Sequence, residues 1–402
     1  MTSDGQCAAG PRMKVLVGVQ DEGMNGIETY AEQVALAARS AGHEVTLIVT
    51  TAGAARSVRG RIGTTGIEIF ELGVAPISPR RQFAERLWVG LQAQRIGASL
   101  RAASLDRLRG YDVIHLNRAA LVPFFTGLSE RIFVAGWFYP HARLPRLRET
   151  WRHARGPLMR RAAITAKSLA FFQADERGYR AATAIIACSE TLAAQLRQQG
   201  RRAIACPPPV QVEIPGSGEE SRSADGALNL LVCCGDLSHP RKNLGDAVRC
   251  LRILAQRDRP VVLRAIGRNF EALSREVGQL PHWARLEPLG PRPPTEVHAE
   301  MRRADVFVLP SLYEEWGYVA VESILSGTPV ATYPVYPFSD MLAGGLGVVA
   351  MELRVNALCD AIERGAATGL RGSALSQAGQ ERFGSAAVGE RLGRIWQGHG
   401  EL

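Results

Sequence analysis

Lysine is almost missing from this chain: Lys14, Lys167 and Lys242 are the only three, and the rest of the 48 basic residues are arginines. The bias fits a GC-rich genome. With 39 acidic residues the net charge is +9, a balance that admits nucleic acid, a membrane surface or an anionic substrate as partner. Aromatic residues make up only 6% of the chain and do not interleave with the arginines as they would on a stacking surface for single strands, so the chain is read as having no nucleic-acid partner. No apolar run approaches the length of a membrane span. The seven cysteines contain no C-x-x-C pair, and Cys188 and Cys233-Cys234 fall in apolar strand patterns, which predicts reduced core thiols and neither a zinc site nor a disulfide framework. A secretory segment is lacking too: residues 1–12 are polar and precede a second methionine, Met13, that starts a strand pattern, so the expectation is a flexible leader on a cytoplasmic protein.

What is present is an alternation of short apolar runs with helical periodicity, in a chain of 402 residues that is long enough for two domains. Val15 to Val19, a helix from about Ile27 to Ala41 and Val45 to Val49 make a βαβ opening. Its first loop, Gln20 to Gly26, lacks the G-x-G-x-x-G of dinucleotide folds, which removes the main support for a dehydrogenase. A proline run, Pro207 to Pro209, and a polar stretch from Pro215 to Gly226 read as a linker. The alternation resumes with Leu228 to Cys234. The expected division is a leader 1–12, a Rossmann-like domain 13–206, a linker 207–227, a second Rossmann-like domain 228–380 and a C-terminal helix 381–402.

The most informative stretch runs from Val306 to Val330. Val306 to Leu309 reads as a buried parallel strand, Pro310 to Gly317 as a loop, Ala320 to Ser326 as a helix, and Gly327-Thr328-Pro329 as its stop. Ligands of open parallel sheets bind at the carboxyl ends of strands, where this loop would lie. Seven residues separate Glu314 on the loop from Glu322 just inside the helix. Ionised carboxylates only accept hydrogen bonds, which suits vicinal hydroxyls, whereas the amides of Trp316, Gly317, Tyr318 and Val319 at a helix start suit a phosphate oxygen. A nucleotide sugar offers both groups. Two glutamates of an ordinary surface loop and first helical turn are the plain alternative.

Pro310-Ser311-x-Tyr313-Glu314, seven residues, Glu322, then Ser326-Gly327-Thr328-Pro329-Val330 resembles the signature of the family 4 GT-B glycosyltransferases, retaining enzymes with nucleotide-sugar donors. The resemblance implies an α/β fold of two Rossmann-like domains with parallel sheets facing a central cleft. It implies that Glu322 holds ribose hydroxyls, that Glu314 holds the transferred sugar, and that Lys242 with Arg241 stabilises the donor diphosphate. It also implies donor contacts near Gly26, Gly267, Arg268, Gly290 and Arg292, where strand-end glycines let backbone approach the ligand. The sequence departs from the family pattern at Asp236, where an arginine would stand, at Asn25-Gly26 in place of Gly-Gly, and at Glu315 in place of a glycine. No D-x-D stands in a matching position, so neither a metal nor a cofactor is expected beyond the nucleotide sugar as cosubstrate.

Acceptor-side candidates are Asn25, His115, Trp137, Tyr139 and His141, with each histidine equally readable as structural and the two aromatics as a stacking wall. Ser189 reads as the cap of the helix that follows it. An apolar stripe of Phe83, Leu87 and Leu91 flanked by Arg80, Arg81, Arg86 and Arg95 reads as a helix docked on the sheet, with a weak membrane-surface contact as the sharper alternative. The expectation is a glycosyltransferase moving a sugar from a UDP- or GDP-type donor to a small-molecule or glycolipid envelope acceptor. The rivals are an epimerase or hydrolase of nucleotide sugars on the same fold, and a non-catalytic nucleotide-binding protein.

Overall fold

Apolar runs joined by amphipathic helices can pair in only one way, because a helical crossover returns the chain to the same end of the sheet and makes neighbouring strands parallel. The computed structural model describes residues 11–20, 26–74, 108–136, 173–212, 226–257 and 259–399, together with residues 98, 99, 158 and 162. It falls into two compact units, Met1–Pro209 with Ser385–Leu402, and Val210–Gly384. Residue 381, the expected start of the returning segment, lies inside the helix Gly372–Phe383 of the second unit, and the change-over comes at Gly384 to Ser385. Val210, inside the expected linker, is buried in the second unit, where its amide donates to the Phe383 carbonyl at 2.9 Å.

The first unit holds seven parallel strands: β1 Lys14–Gln20, β2 Glu44–Val49, β3 Glu68–Glu71, β4 Val113–Leu116, β5 Ile132–Gly136, β6 Ala184–Ala187 and β7 Ala203–Ala205, in the order β3-β2-β1-β4-β5-β6-β7. β4 is buried along its whole length, as a strand covered on both faces must be. Ser189 caps the helix Glu190–Gln198, its hydroxyl accepting from the Leu192 amide at 3.2 Å. The C-terminal helix Ser385–Trp396 lies along the helix Gly26–Ser40 and buries Val388, Leu392, Ile395 and Trp396.

A polar group sits at the centre of this core. His115 on β4 is fully buried, and the indole N–H of Trp396, which can only donate, meets His115 Nδ1 at 3.2 Å. The neutral ring must then carry its proton on Nε2, which donates to the Tyr30 hydroxyl at 2.7 Å. Burial pushes the His115 pKa down to about 3. The acceptor-side role expected for His115 is therefore corrected: the side chain has no exposed surface and ties β4 to the C-terminal helix.

The second unit holds six parallel strands: β8 Leu228–Asp236, β9 Val261–Arg268, β10 Ala284–Pro288, β11 Val306–Leu309, β12 Val330–Thr332 and β13 Gly347–Val349, in the order β10-β9-β8-β11-β12-β13. Its core gathers Leu230, Val232, Leu251, Leu263, Val308 and Ile362. No helix among the described residues is long and apolar enough to cross a membrane.

His115 has a folded pKa below the 6.5 of a free histidine, so it contributes stability above that pH and loses it as the pH falls toward 3. In chemical denaturation of the full chain, stability should fall between these limits with a slope approaching about 1.4 kcal/mol per pH unit from this group. The difference in slope between wild type and His115→Gln isolates the effect, and equal slopes would remove His115 from the account.

Candidate active site

In the second sheet the chain builds outward from β8 in one direction, through β9 to β10, and from β11 in the other, through β12 to β13. The strand order reverses between β8 and β11, and the crevice at such a reversal is where open parallel sheets bind ligands. Their mutual pairing stops at Phe307 opposite Leu231, while β8 runs on to Asp236. Both segments that the sequence singles out open from this point: Arg241 and Lys242 follow β8, and Glu314 follows β11.

Pro240–Lys242 forms a short 3-10 turn, and the Leu312 amide donates to the Arg241 carbonyl at 2.9 Å, which ties the two loops together. Lys242 Nζ lies 2.5 Å from Glu314 Oε1 and Arg241 Nη1 lies 3.1 Å from Glu314 Oε2, so one carboxylate holds both cations. Ser311 Oγ adds a hydrogen bond to Glu314 Oε1 at 2.8 Å. The Glu314 side chain is 5% exposed, that of Lys242 16% and that of Arg241 36%, so the lysine is the inner cation and the arginine the outer. Stripping the partners from such a carboxylate leaves a buried charge uncompensated, which costs about 3–5 kcal/mol. The cluster keeps one positive charge in excess.

Glu322 lies in the helix Tyr318–Leu325 and behaves differently. Its carboxylate has no hydrogen bond or ion pair among the described residues, and burial alone pushes its pKa up to about 7. The neighbouring Cys233 thiol is pushed up to about 12, by burial first and then by Glu322, with Lys242 acting in the opposite sense. Lys242 and Glu322 thus both act on one strand-tip thiol. Cys233 and Cys234, expected inside the core, are instead half-buried at the end of β8.

The helix start between the two glutamates depends on Gly317, whose φ of +88° is left-handed and whose missing Cβ leaves room for the Phe338 ring. Trp316 turns its side chain into the core, edge-on to Phe383, with its indole nitrogen lacking a partner among the described residues. The Trp316 side chain is therefore packed in the core of the second unit. Tyr318 and Val319 begin the helix, where amides have no intrahelical acceptor.

The remaining donor-side candidates take up more varied positions. Gly267 has φ +146°, and a Cβ there would sit 2.1 Å from the Cys234 carbonyl oxygen, so the glycine serves the contact between β9 and β8. Its amide donates to the Gly290 carbonyl at 3.2 Å, which joins these two candidates at the strand tips. Arg268 donates to the Gly235 carbonyl at 3.2 Å, and Arg292 is exposed and paired with Glu296 at 3.1 Å. Asp236 cannot act as the arginine it replaces. Its Oδ1 accepts from the Ser238 amide and hydroxyl and from Asn269 Nδ2, which holds its pKa down to about 2 and shapes the loop leading to Lys242.

Sequence reasoning missed the support beneath the cations. Asn243, directly after Lys242, has left-handed φ of 51°, and its Nδ2 donates to Asp246 Oδ2 at 2.7 Å. Tyr333, just past β12, donates its hydroxyl to the same oxygen at 2.7 Å, and Arg249 donates to Oδ1 at 2.7 Å. The Asn-x-x-Asp spacing at a helix start was the available signal; the Tyr333 contact bridges 87 positions and had none.

In the first unit, Gly26 opens the helix Gly26–Ser40, with empty space where a Cβ would point. Asn25, Trp137, Tyr139 and His141 lie outside the described residues, as does the arginine-flanked stripe from Arg80 to Arg95. Near that helix start, Arg118 Nη2 meets the buried Glu28 Oε1 at 2.5 Å. Among the described residues no group of three or more His, Cys, Asp or Glu side chains is arranged to hold a metal ion.

The family model described as Glycosyltransferase Family 4 matches residues 24–213, and that described as Glycosyl transferases group 1 matches residues 219–381. Among curated proteins, the chain is 40% identical over 76 residues to a D-inositol 3-phosphate glycosyltransferase of Corynebacterium glutamicum, a match covering 19% of this chain and 16% of that protein. It is 35% identical over 106 residues to a 2-deoxystreptamine glucosyltransferase of Streptomyces kanamyceticus, covering 25% of this chain and 26% of that one. The matched stretches thus span about a sixth and a quarter of those relatives. Among solved structures, a sucrose-phosphate synthase from Thermosynechococcus elongatus superposes with a TM-score of 0.68 at 18% identity, over 96% of this chain and 99% of that one. With one family model on each half, two parallel sheets of seven and six strands and a fold shared across nearly the whole chain, the protein belongs to the group 1 glycosyltransferases of GT-B architecture.

Proposed function

We propose that this chain transfers a hexosyl group from a nucleoside diphosphate sugar, of the UDP or GDP type, to an acceptor hydroxyl with retention of anomeric configuration. The observation that carries the proposal is the meeting of Lys242, Arg241 and Glu314 where the strand order reverses, next to the unpartnered Glu322. Glycosidic bond cleavage moves negative charge onto the departing diphosphate. Lys242 and Arg241 stand together at the strand ends, where they stabilise that charge electrostatically. Glu322 accepts from the ribose hydroxyls, Glu314 from hydroxyls of the transferred sugar, and the amides at Tyr318 and Val319 face phosphate oxygens. Retention rests on the resemblance of the Glu314 to Glu322 spacing to the family signature. The cationic pair offers the departing diphosphate positive charge from the protein itself, which supports a reaction without an obligatory metal.

The names of the two curated relatives pair sugar transfer with small polyhydroxylated rings, D-inositol 3-phosphate and 2-deoxystreptamine. They support a small-molecule acceptor.

Binding to the native state raises its stability by mass action. In a thermal-shift panel of UDP, GDP, ADP and dTDP, one diphosphate should stabilise the chain selectively, equally with and without magnesium, and Glu322→Ala should abolish the shift. No stabilisation by any of the four would overturn the proposal.

Glu322 also gives the site a pH dependence. Its pKa of about 7 lies above the ordinary 4.5, so its contribution to stability is full below pH 4.5 and is lost as the pH rises through about 7. Ligand hydroxyls favour the ionised form. Affinity for the selected diphosphate should therefore rise from pH about 6 to about 8, by up to about tenfold, and this increment should be missing from Glu322→Gln. The same increment in both proteins would assign the titration to the phosphate itself.

A further inference from the structure

We infer that Glu314 competes with the ligand's own phosphates for Lys242 and Arg241, so that the site holds a bare diphosphate more weakly than the same diphosphate carrying a sugar, whose hydroxyl groups replace the cations around Glu314. The inference rests on the proposed reading of the site and names what sets its selectivity.

Three donor groups surround this carboxylate: Lys242 Nζ and Ser311 Oγ at Oε1, and Arg241 Nη1 at Oε2. Its side chain is 5% exposed, so water cannot take over the place of a departing partner. A phosphate that draws Lys242 and Arg241 to itself leaves Glu314 ionised, buried and held by Ser311 alone. Bare pyrophosphate, or a nucleoside diphosphate without its sugar, has no hydroxyl to offer at that end. A nucleotide sugar does: its hexosyl hydroxyls are donors, and they can satisfy both carboxylate oxygens while the diphosphate takes the cations. The exchange is therefore balanced for the intact donor and unbalanced for the product that remains after transfer. Once the sugar has left, Glu314 recovers the cations and the diphosphate loses its hold.

The same geometry gives two variants opposite signs. Glu314→Gln removes the competing charge and frees the cations. Ser311→Ala removes the one donor that is not a cation, so Glu314 leans harder on Lys242 and competes better. A contact that merely held the loop in shape would weaken ligand binding in both.

The test is calorimetric titration of the full chain with inorganic pyrophosphate, and with the nucleoside diphosphate that thermal shift selects. Glu314→Gln should bind each about tenfold more tightly than wild type, and Ser311→Ala severalfold more weakly. Equal or weaker binding by a folded Glu314→Gln overturns the inference. Should that variant fail to fold, Ser311→Ala is titrated with the phosphate-free nucleoside as well: weaker binding of pyrophosphate with unchanged binding of the nucleoside sustains the competition, and equal weakening of both, or unchanged or tighter binding of pyrophosphate, overturns it. A wild type that binds no nucleoside diphosphate better than pyrophosphate defeats the proposed function instead, and the comparison of variants on pyrophosphate still decides the competition.

Discussion

A carboxylate removed from water has to be surrounded by donors, and the organisation of the second unit follows from meeting that demand at Glu314. Ser311 reaches it from three residues away on the same loop, and Lys242 and Arg241 reach it from the loop after β8. The turn that carries the cations needs its own support, which comes from Asn243, Asp246 and Tyr333, a network drawing on β12 as well as on the helix Leu244–Ala255. Electrostatic demand at one oxygen pair is thus passed through three strand ends. Arginine-rich as the chain is, the inner cation is a lysine, whose compact ammonium needs no fork geometry and fits a half-buried position.

The buried-polar problem is met with two kinds of chemistry, and the first unit uses both, since its buried Glu28 is paired with Arg118. The first keeps its central histidine neutral, and each ring nitrogen has one partner in Tyr30 and Trp396. The second pairs Glu314 with two cations and leaves Glu322, half-buried, as the candidate carboxylate that no described side chain pairs. An unmatched group of this kind costs stability in the free protein and is restored by a ligand, the usual relation between a binding site and the fold that carries it.

The α/β architecture was legible because parallel strands buried on both faces appear as apolar runs: β5 and β11 are uninterrupted, and β4 and β8 are broken only by His115, by Asn229 and by the polar end of β8. The pairing of Glu314 with Glu322 was legible because both lie within one local segment. What could not be read were contacts between distant positions: Tyr333 on Asp246, Trp396 on His115, and the grip of Glu314 on two residues more than seventy positions earlier. His115 stood at a strand end in the sequence, where a ligand contact and a core contact look alike, and only the return of the C-terminal helix decides between them. Gly267 resembled a ligand-facing glycine for a similar reason; it is the neighbouring strand that excludes its side chain.

The first unit is closed by a helix, Ser385–Trp396, that is made after the whole of the second. On a ribosome the second unit can reach its native contacts while the first still lacks the Trp396 ring that its central histidine requires. Domains fold as units during synthesis, usually from the amino end. Here the apolar face of the helix Gly26–Ser40 stays uncovered until residues 385–396 have followed the second unit off the ribosome.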